Sequence, residues 1–299
     1  MKSCIFMKKK NVKCAISGSN GFVGSKIAEY LKDRDLGIIG IGRNDNNLRF
    51  VDEYVKTDLV NLSDKLKIPQ LEVFVHCAAI ISFEESNTDL LAKNILMTLN
   101  SLSLAVKNGC SKFILISSVP VIGSPLSSPI NETHVLNPRT IYHKTKLLCE
   151  EVTQLYNANM DIYVLRIPSP LSCNMKNRSF VPTLIEQARQ GNTLKVYGKG
   201  TRKQSYLDLR DLANVIFHII SSDVIPGIYN VTSSPSISNL DMANLIKRIC
   251  ASESKIELVG TDVEDHIDWN IDDSKLKEAI PNLKFHSIEE TLKYMNEGG

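Results

Sequence analysis

The sequence predicts an α/β protein, a doubly wound parallel sheet followed by a smaller and less regular C-terminal region. Three observations carry this. Short, continuous apolar runs alternate with helically spaced segments through the first half of the 299-residue chain. A glycine triplet joins the first apolar run to the first helix. Near residue 168 the alternation stops, and Pro168, Pro170 and Pro182 punctuate shorter segments. Apolar strands without polar alternation fit a parallel sheet covered on both faces, and strands alternating with helices give that topology.

The elements follow in order. Residues 1–10 read as an N-terminal extension, with Lys8-Lys9-Lys10 as a solvated leader and Met7 as an alternative start. Val12 to Ser17 reads as a strand, Phe22 to Lys32 as a helix and Leu36 to Ile41 as a second strand. Val73 to Ala79 is a further strand, followed by a long helix from Thr88 to Lys107. Lys112 to Ser117 is a strand, 141–157 a helix and Ile162 to Ile167 a strand. Segment 205–221 is expected to return to the sheet, and 238–251 to be a helix.

Composition narrows the function. A net charge of +2, spread along the chain, gives no footprint for nucleic acid or a membrane surface. Seven cysteines without a Cys-x-x-Cys pair argue against a disulfide framework and a zinc site. Cys14, Cys77 and Cys250 lie in apolar stretches and read as buried thiols. No apolar run approaches the roughly 20 residues of a spanning helix, so a cytoplasmic location is expected.

The first strand runs into GSNGFVG, with Gly18, Gly21 and Gly24 three residues apart. Such a turn lets the backbone bend sharply and approach a pyrophosphate, whose charge then faces the free N–H groups of the helix. This expectation makes 11–167 a dinucleotide-binding (Rossmann) domain and 168–299 the substrate-binding region. Arg43 stands where an acid usually holds the adenosine ribose. A guanidinium suits a 2′-phosphate, which favours NADP(H), with NAD(H) as the alternative if Asp45 takes that place.

Tyr142 and Lys146 are four residues apart on a predicted helix and share one face. An ammonium beside a phenol favours the phenolate, and this suits acid–base work near neutrality. Ser117-Ser118 ends the preceding strand at the edge where such sheets bind ligands. Six histidines are scattered, with no metal-ligand cluster. His76 reads as structural, and His134 has the looser standing of a loop histidine.

These strings resemble the extended short-chain dehydrogenases: GSNGFVG, Asp58-Leu59, HCAA at 76–79, Asn94 in NILMTLNS, ILISS, YHKTK and VLRIP, in that order. GKGTRKQSYLDLRDLANVI at 198–216 resembles the substrate segment of the NAD-dependent epimerase/dehydratase group. The resemblance implies that Ser118 positions a sugar oxygen, Tyr142 exchanges the proton, and Lys146 serves the tyrosine and the nicotinamide ribose. Gly18, Asn20, Gly21, Phe22 and Val23 would cradle the pyrophosphate, and Asp58 and Leu59 would lie by the adenine. Cys77, Ala78, Ala79, Asn94 and Ser117 would line the cofactor, with Pro168 near the nicotinamide. Ser169, Phe180, Val196, Arg202 and Tyr206 would touch a nucleotide-diphosphate sugar, with Arg202 on the diphosphate.

The departures are informative. Val119-Pro120 stands where 4,6-dehydratases carry an Asp-Glu pair, which argues against sugar dehydration. Ile122-Gly123 replaces the usual Tyr-Gly, and Ser169-Pro170-Leu171 replaces Tyr-Gly-Pro. Gln204 replaces a common arginine, which weakens the phosphate contact. The leading expectation is reduction of a 4-keto nucleotide sugar by NADPH, with a 4-epimerase retaining NAD as the alternative. A non-sugar carbonyl reductase and a non-catalytic cofactor-binding regulator rank lower. Surface-polysaccharide synthesis is the setting that the resemblance suggests. Helices 88–108 and 141–157 resemble the pair that forms a four-helix homodimer interface, although Leu91, Ile95, Leu99 and Leu102 fit a core equally well.

Overall fold

The computed structural model describes residues 13–45, 48–81, 88–173, 175 and 179–298. The N-terminal extension read at 1–10 lies outside them. The first half contains β1 (Lys13–Ser17), α1 (Phe22–Lys32), β2 (Gly37–Gly42), β3 (Glu53–Lys56) and β4 (Val73–His76). Then come α2 (Thr88–Lys107), β5 (Lys112–Ser118), α3 (Ile141–Gln154) and β6 (Asp161–Ile167). Next are β7 (Ser169–Leu171), α4 (Phe180–Arg189), β8 (Leu194–Tyr197), β9 (Lys203–Gln204), β10 (Tyr206–Asp208) and α5 (Leu209–Ser221). The chain closes with β11 (Gly227–Asn230), β12 (Ile237–Ser238), α6 (Asn239–Ile249), β13 (Ile256–Val259), β14 (Asp268–Trp269), α7 (Ser274–Ala279) and α8 (Ile288–Glu297).

Seven parallel strands form the main sheet in the order β11-β6-β5-β4-β1-β2-β3. From β1 the chain builds outward through β2 and β3, then crosses back to β4 and builds the other way. The reversal leaves a crevice at the carboxyl ends of β1 and β4, where open α/β sheets bind ligands. Successive side chains face opposite sides. Cys14, Ile16, Ile114 and Ile116 meet the core beneath α5. Ala15, Phe113 and Leu115 meet the core beneath α2.

A third core joins α4, α6 and α8 to β8, through Leu184, Val196, Met242 and Leu292. Small sheets, β12-β9-β14, β13-β8 and β10-β7, complete this region. Among the described residues, no helix is long and apolar enough to cross a membrane.

Helices α1 and α2 have the bounds expected from sequence. Strand β4 stops at His76, three residues early, because Asn94 takes both backbone groups of Ile80 and turns 77–80 into a loop. Helix α3 ends at Gln154 rather than 157. Segment 205–221 returns as a helix: among the described residues β10 pairs with β7, outside the main sheet, and α5 covers the sheet. The strands β3 and β11 were not foreseen. Each has four residues, and β11 begins at a glycine.

Candidate active site

The turn after β1 places its glycines for different reasons. Gly18 has φ +69°, and a Cβ there would sit 3.0 Å from the backbone of Ala78. A Cβ on Gly24 would lie 2.3 Å from the carbonyl oxygen of Gly18, so α1 can pack this closely only with glycine there. Gly21 donates to the same carbonyl at 2.8 Å and is the N-cap of α1, with no side chain capping the helix. Helices α3, α5, α6 and α8 are instead capped by Thr140, Asp208, Ser238 and Ser287. The first N–H groups of α1 therefore face the crevice without a side-chain acceptor, as an anion site requires. Ser19 Oγ and Asn20 Oδ1 are also buried without a partner. A glycine-shaped cradle with uncapped helix N–H groups, and the Ser19 hydroxyl as a further donor, fits a dinucleotide pyrophosphate; Asn20 Oδ1, an acceptor, does not serve a phosphate. Phe22 and Val23 form the first turn of α1 above it.

At the end of β2, Arg43 is exposed. The phenol of Tyr54 crosses Gly40 and Gly42, where a Cβ would lie 2.9 and 2.8 Å from its ring and hydroxyl. Tyr54 donates to the carbonyl of Asn44, and Asn20 Nδ2 donates to both that carbonyl and the Tyr54 hydroxyl. Tyr54 had no signal in the glycine pattern. Asp45 pairs with Lys56 on the surface. Asp58 accepts from Val60 N at 3.0 Å, whereas Leu59 points into the core.

Across the crevice, Cys77, Ala78 and Ala79 form the half-buried loop after β4. Asn94 is buried and serves as a clamp: its amide accepts from Ile80 N at 2.8 Å and donates to Ile80 O at 3.0 Å. His76 bonds Ser17 Oγ at 2.8 Å and Thr98 Oγ1 at 3.1 Å. Burial, aided by the Lys146 charge, drives its pKa down to about 3, so the ring is neutral.

Tyr142 and Lys146 project from the first turns of α3. The Lys146 ammonium lies 5.9 Å from the centre of the Tyr142 ring and donates to Ile116 O, in β5, at 2.8 Å. Lys146 is buried and Tyr142 half-buried. Ser118 ends the same strand, and its side chain caps no helix. The His143 ring meets Tyr142 edge-on, and burial and then Lys146 hold its pKa down at about 4. Strand and helix thus bring serine, tyrosine and lysine to one edge of the sheet, beside Pro168.

Several expected contacts have other partners. Ser117 turns toward α3, where its hydroxyl donates to Glu150, so that hydroxyl is already engaged. Val196 is fully buried in the third core and cannot line a substrate site. Arg202 is engaged by Glu264 at 2.8 Å and Asp262 at 3.9 Å, so a diphosphate would have to displace carboxylates. Tyr206 is buried, with its hydroxyl unpartnered and its pKa pushed up by burial. Ser169 is exposed beside Pro168, and Phe180 opens α4 half-buried. Gln204 bonds Asn239 at 3.1 Å.

A crevice at the sheet reversal, an uncapped helix over a glycine cradle and a Tyr/Lys helix beside it define a dinucleotide-binding protein of the short-chain dehydrogenase type. Residues 14–232 match the model of the NAD dependent epimerase/dehydratase family, and the chain belongs to that family of enzymes. It is 26% identical over 293 residues to UDP-glucuronic acid decarboxylase 4 of Arabidopsis thaliana, covering 92% of this chain and 65% of the plant protein. The chain thus spans about two thirds of that relative's length. It is 24% identical over 247 residues to a putative UDP-glucose 4-epimerase of Methanocaldococcus jannaschii, covering 78% and 80% of the two chains. The fold is shared with UDP-N-acetylglucosamine 4-epimerase from Methanobrevibacter ruminantium, solved in complex with UDP-N-acetylmuramic acid. That match has a TM-score of 0.86 at 20% identity and covers 97% of this chain and 98% of the other.

Proposed function

We propose that the protein moves a hydride between a bound nicotinamide nucleotide and a carbinol or keto carbon of a nucleotide-linked sugar. The observation that carries this is the anchoring of Lys146 at the end of β5, between Tyr142 and the strand that ends at Ser118. The nicotinamide supplies the hydride chemistry when bound. Tyr142 exchanges the proton with the sugar oxygen, Ser118 holds that oxygen, and Lys146 holds the nicotinamide ribose and the tyrosine's environment. The nucleotide sugar as substrate is supported by relatives named as UDP-glucuronic acid decarboxylases and a UDP-glucose epimerase. Val119 and Pro120, where dehydratases carry acids, can exchange no proton, and Val119 is buried.

Two outcomes of this chemistry remain in play. Arg43, exposed at the adenosine-ribose position, favours a 4-keto reductase that exchanges NADP(H) at each turnover. The epimerases among the relatives favour a 4-epimerase that retains NAD. Denaturing freshly purified protein and identifying the released nucleotide separates them. Near-stoichiometric NAD(H) supports the epimerase and sinks the reading of Arg43. Empty protein, or traces of NADP(H), supports the reductase, and NADPH-driven reduction of keto sugars is then measured. We further assign α2 and α3 as the homodimer surface and the cytoplasm as the location.

A further inference from the structure

Behind the catalytic edge lies a buried ion pair that the hydride chemistry does not use. Glu150 and Arg166 have side chains only 4% and 2% exposed and meet at 2.8 Å. Arg166 Nε adds contacts of 3.2 Å to both carboxylate oxygens, and Ser117 donates to the carboxylate as well. The remaining Arg166 nitrogen donates to Glu132 O at 3.1 Å, and Glu132 in turn accepts from Asn230 N at 2.7 Å. One carboxylate therefore ties together α3, β5, β6 and, through Glu132, β11.

Stability does not explain such a pair. Removing two charges from water costs so much that apolar residues of similar volume are often as stable or more so. The position of the pair is more telling. Tyr142, Lys146 and Glu150 lie at successive four-residue steps and form one stripe of α3. Lys146 reaches Ile116 and Glu150 reaches Ser117, which are consecutive residues of the strand that ends at Ser118. Ser117 and Arg166 are also register partners across β5 and β6. Two rungs thus pin two turns of α3 to the strand end. With its lone pairs occupied by three donors from two strands, the Glu150 carboxylate allows α3 little rotation or sliding.

We propose that Glu150, held by Arg166 and Ser117, is a positioning residue that fixes the register of α3 and so the spacing of Tyr142 from Ser118. This rests on the assignment of those two residues to the chemistry.

The test uses the full-length protein and two variants. In Ser117→Ala/Glu150→Leu/Arg166→Met the whole polar unit is replaced by apolar groups. In Ser117→Ala only the rung to β5 is cut. Three quantities are read: melting temperature, amide hydrogen exchange over residues 141–147, and kcat and KM on a panel of UDP-sugars with NAD(H) or NADP(H). The triple variant should melt within a few degrees of the parent, yet exchange in 141–147 should be about tenfold faster. Its kcat should fall on the order of 10- to 100-fold with KM little changed, because misplacement by about an ångström is that costly. Ser117→Ala should show the same pattern at a few-fold, and it decides the matter if the triple variant does not fold. Parent-like exchange, or parent-like kcat, in a folded variant overturns the proposal. A parent that turns over none of the sugars overturns the function assignment alone, and the exchange measurement still decides whether Glu150 pins the helix.

Discussion

Tyr142 is the residue on which the proposed chemistry turns. Replacing it with phenylalanine removes the proton donor and keeps the ring, so kcat should fall by roughly 10² to 10⁴ while the protein stays folded. Near-parental turnover would refute the mechanism. The glycines separate in another way. Gly24→Ala puts a methyl 2.3 Å from a backbone oxygen and should destabilise by about 1–3 kcal/mol in denaturant unfolding. Gly21→Ala meets only one atom, at 3.1 Å, so its cost should fall on dinucleotide affinity rather than on stability. Equal stability losses in the two variants would contradict these assignments.

Side-chain direction was the part of the site that sequence motifs left unread. A motif placed both Ser117 and Ser118 at the edge, but the pleat sends Ser117 to Glu150. Arg202 likewise fell in a matched string, 198–216, and Val196 just ahead of it; acidic neighbours in one case and packing in the other decide where they point. Arg166 lay inside VLRIP and Glu150 in the helix read at 141–157, with no pattern to mark them, because their meaning depends on meeting across α3, β5 and β6.

At the level of elements, α2 acts as a brace through Asn94 and Thr98. Asn94→Ala would leave both backbone groups of Ile80 without partners and should cost about 1–3 kcal/mol, with weaker cofactor binding from a loosened 77–80 loop. Unchanged stability and affinity would show that the clamp is dispensable. The same packing makes the strand and helix ends acid-sensitive. His76 and His143 titrate near 3 and 4 when folded, against an unfolded value of 6.5. The unfolded chain then binds more protons below pH 6.5, so stability is full above that value and declines as the pH falls toward 3. Unfolding free energies between pH 7 and 5 should slope less in His76→Gln than in the parent, and parallel slopes would show that His76 does not carry the effect. The bounds of α1 and α2 were legible because their apolar spacing is long and regular. The strands β3 and β11 were not, because four residues carry too little periodicity to stand out.

For the whole molecule, α2 and α3 each leave apolar side chains exposed. Leu96 and Val106 on α2, and Leu155 at the end of α3, are exposed; Leu99, Leu148 and Val152 are half-buried. Leu102, one of the residues weighed for this face, belongs to the core instead. If these residues pair two copies, Leu96→Asp/Leu155→Asp should shift the mass in light scattering from dimer to monomer. A parent that is already monomeric would remove that assignment. The doubly wound sheet was legible from the alternation of the first half. A return to the sheet from beyond residue 168 was expected, but at 205–221; the strand that makes it is Gly227–Asn230, since pairing between distant segments leaves no local trace.

That closing strand also bears on how the protein is made. Tyr163 of β6 waits for Gly227, 64 residues later (227 − 163), before its outer hydrogen bonds are met. While a ribosome is still delivering the intervening segment, the edge of β6 is an unprotected template for another nascent chain. Asn230 then bonds the carbonyls of Ile130 and Asp272, so the arrival of β11 also fastens the loop ahead of α3 to the C-terminal tail. Chains that terminate before Gly227 should therefore accumulate as insoluble material, however complete their cofactor cradle.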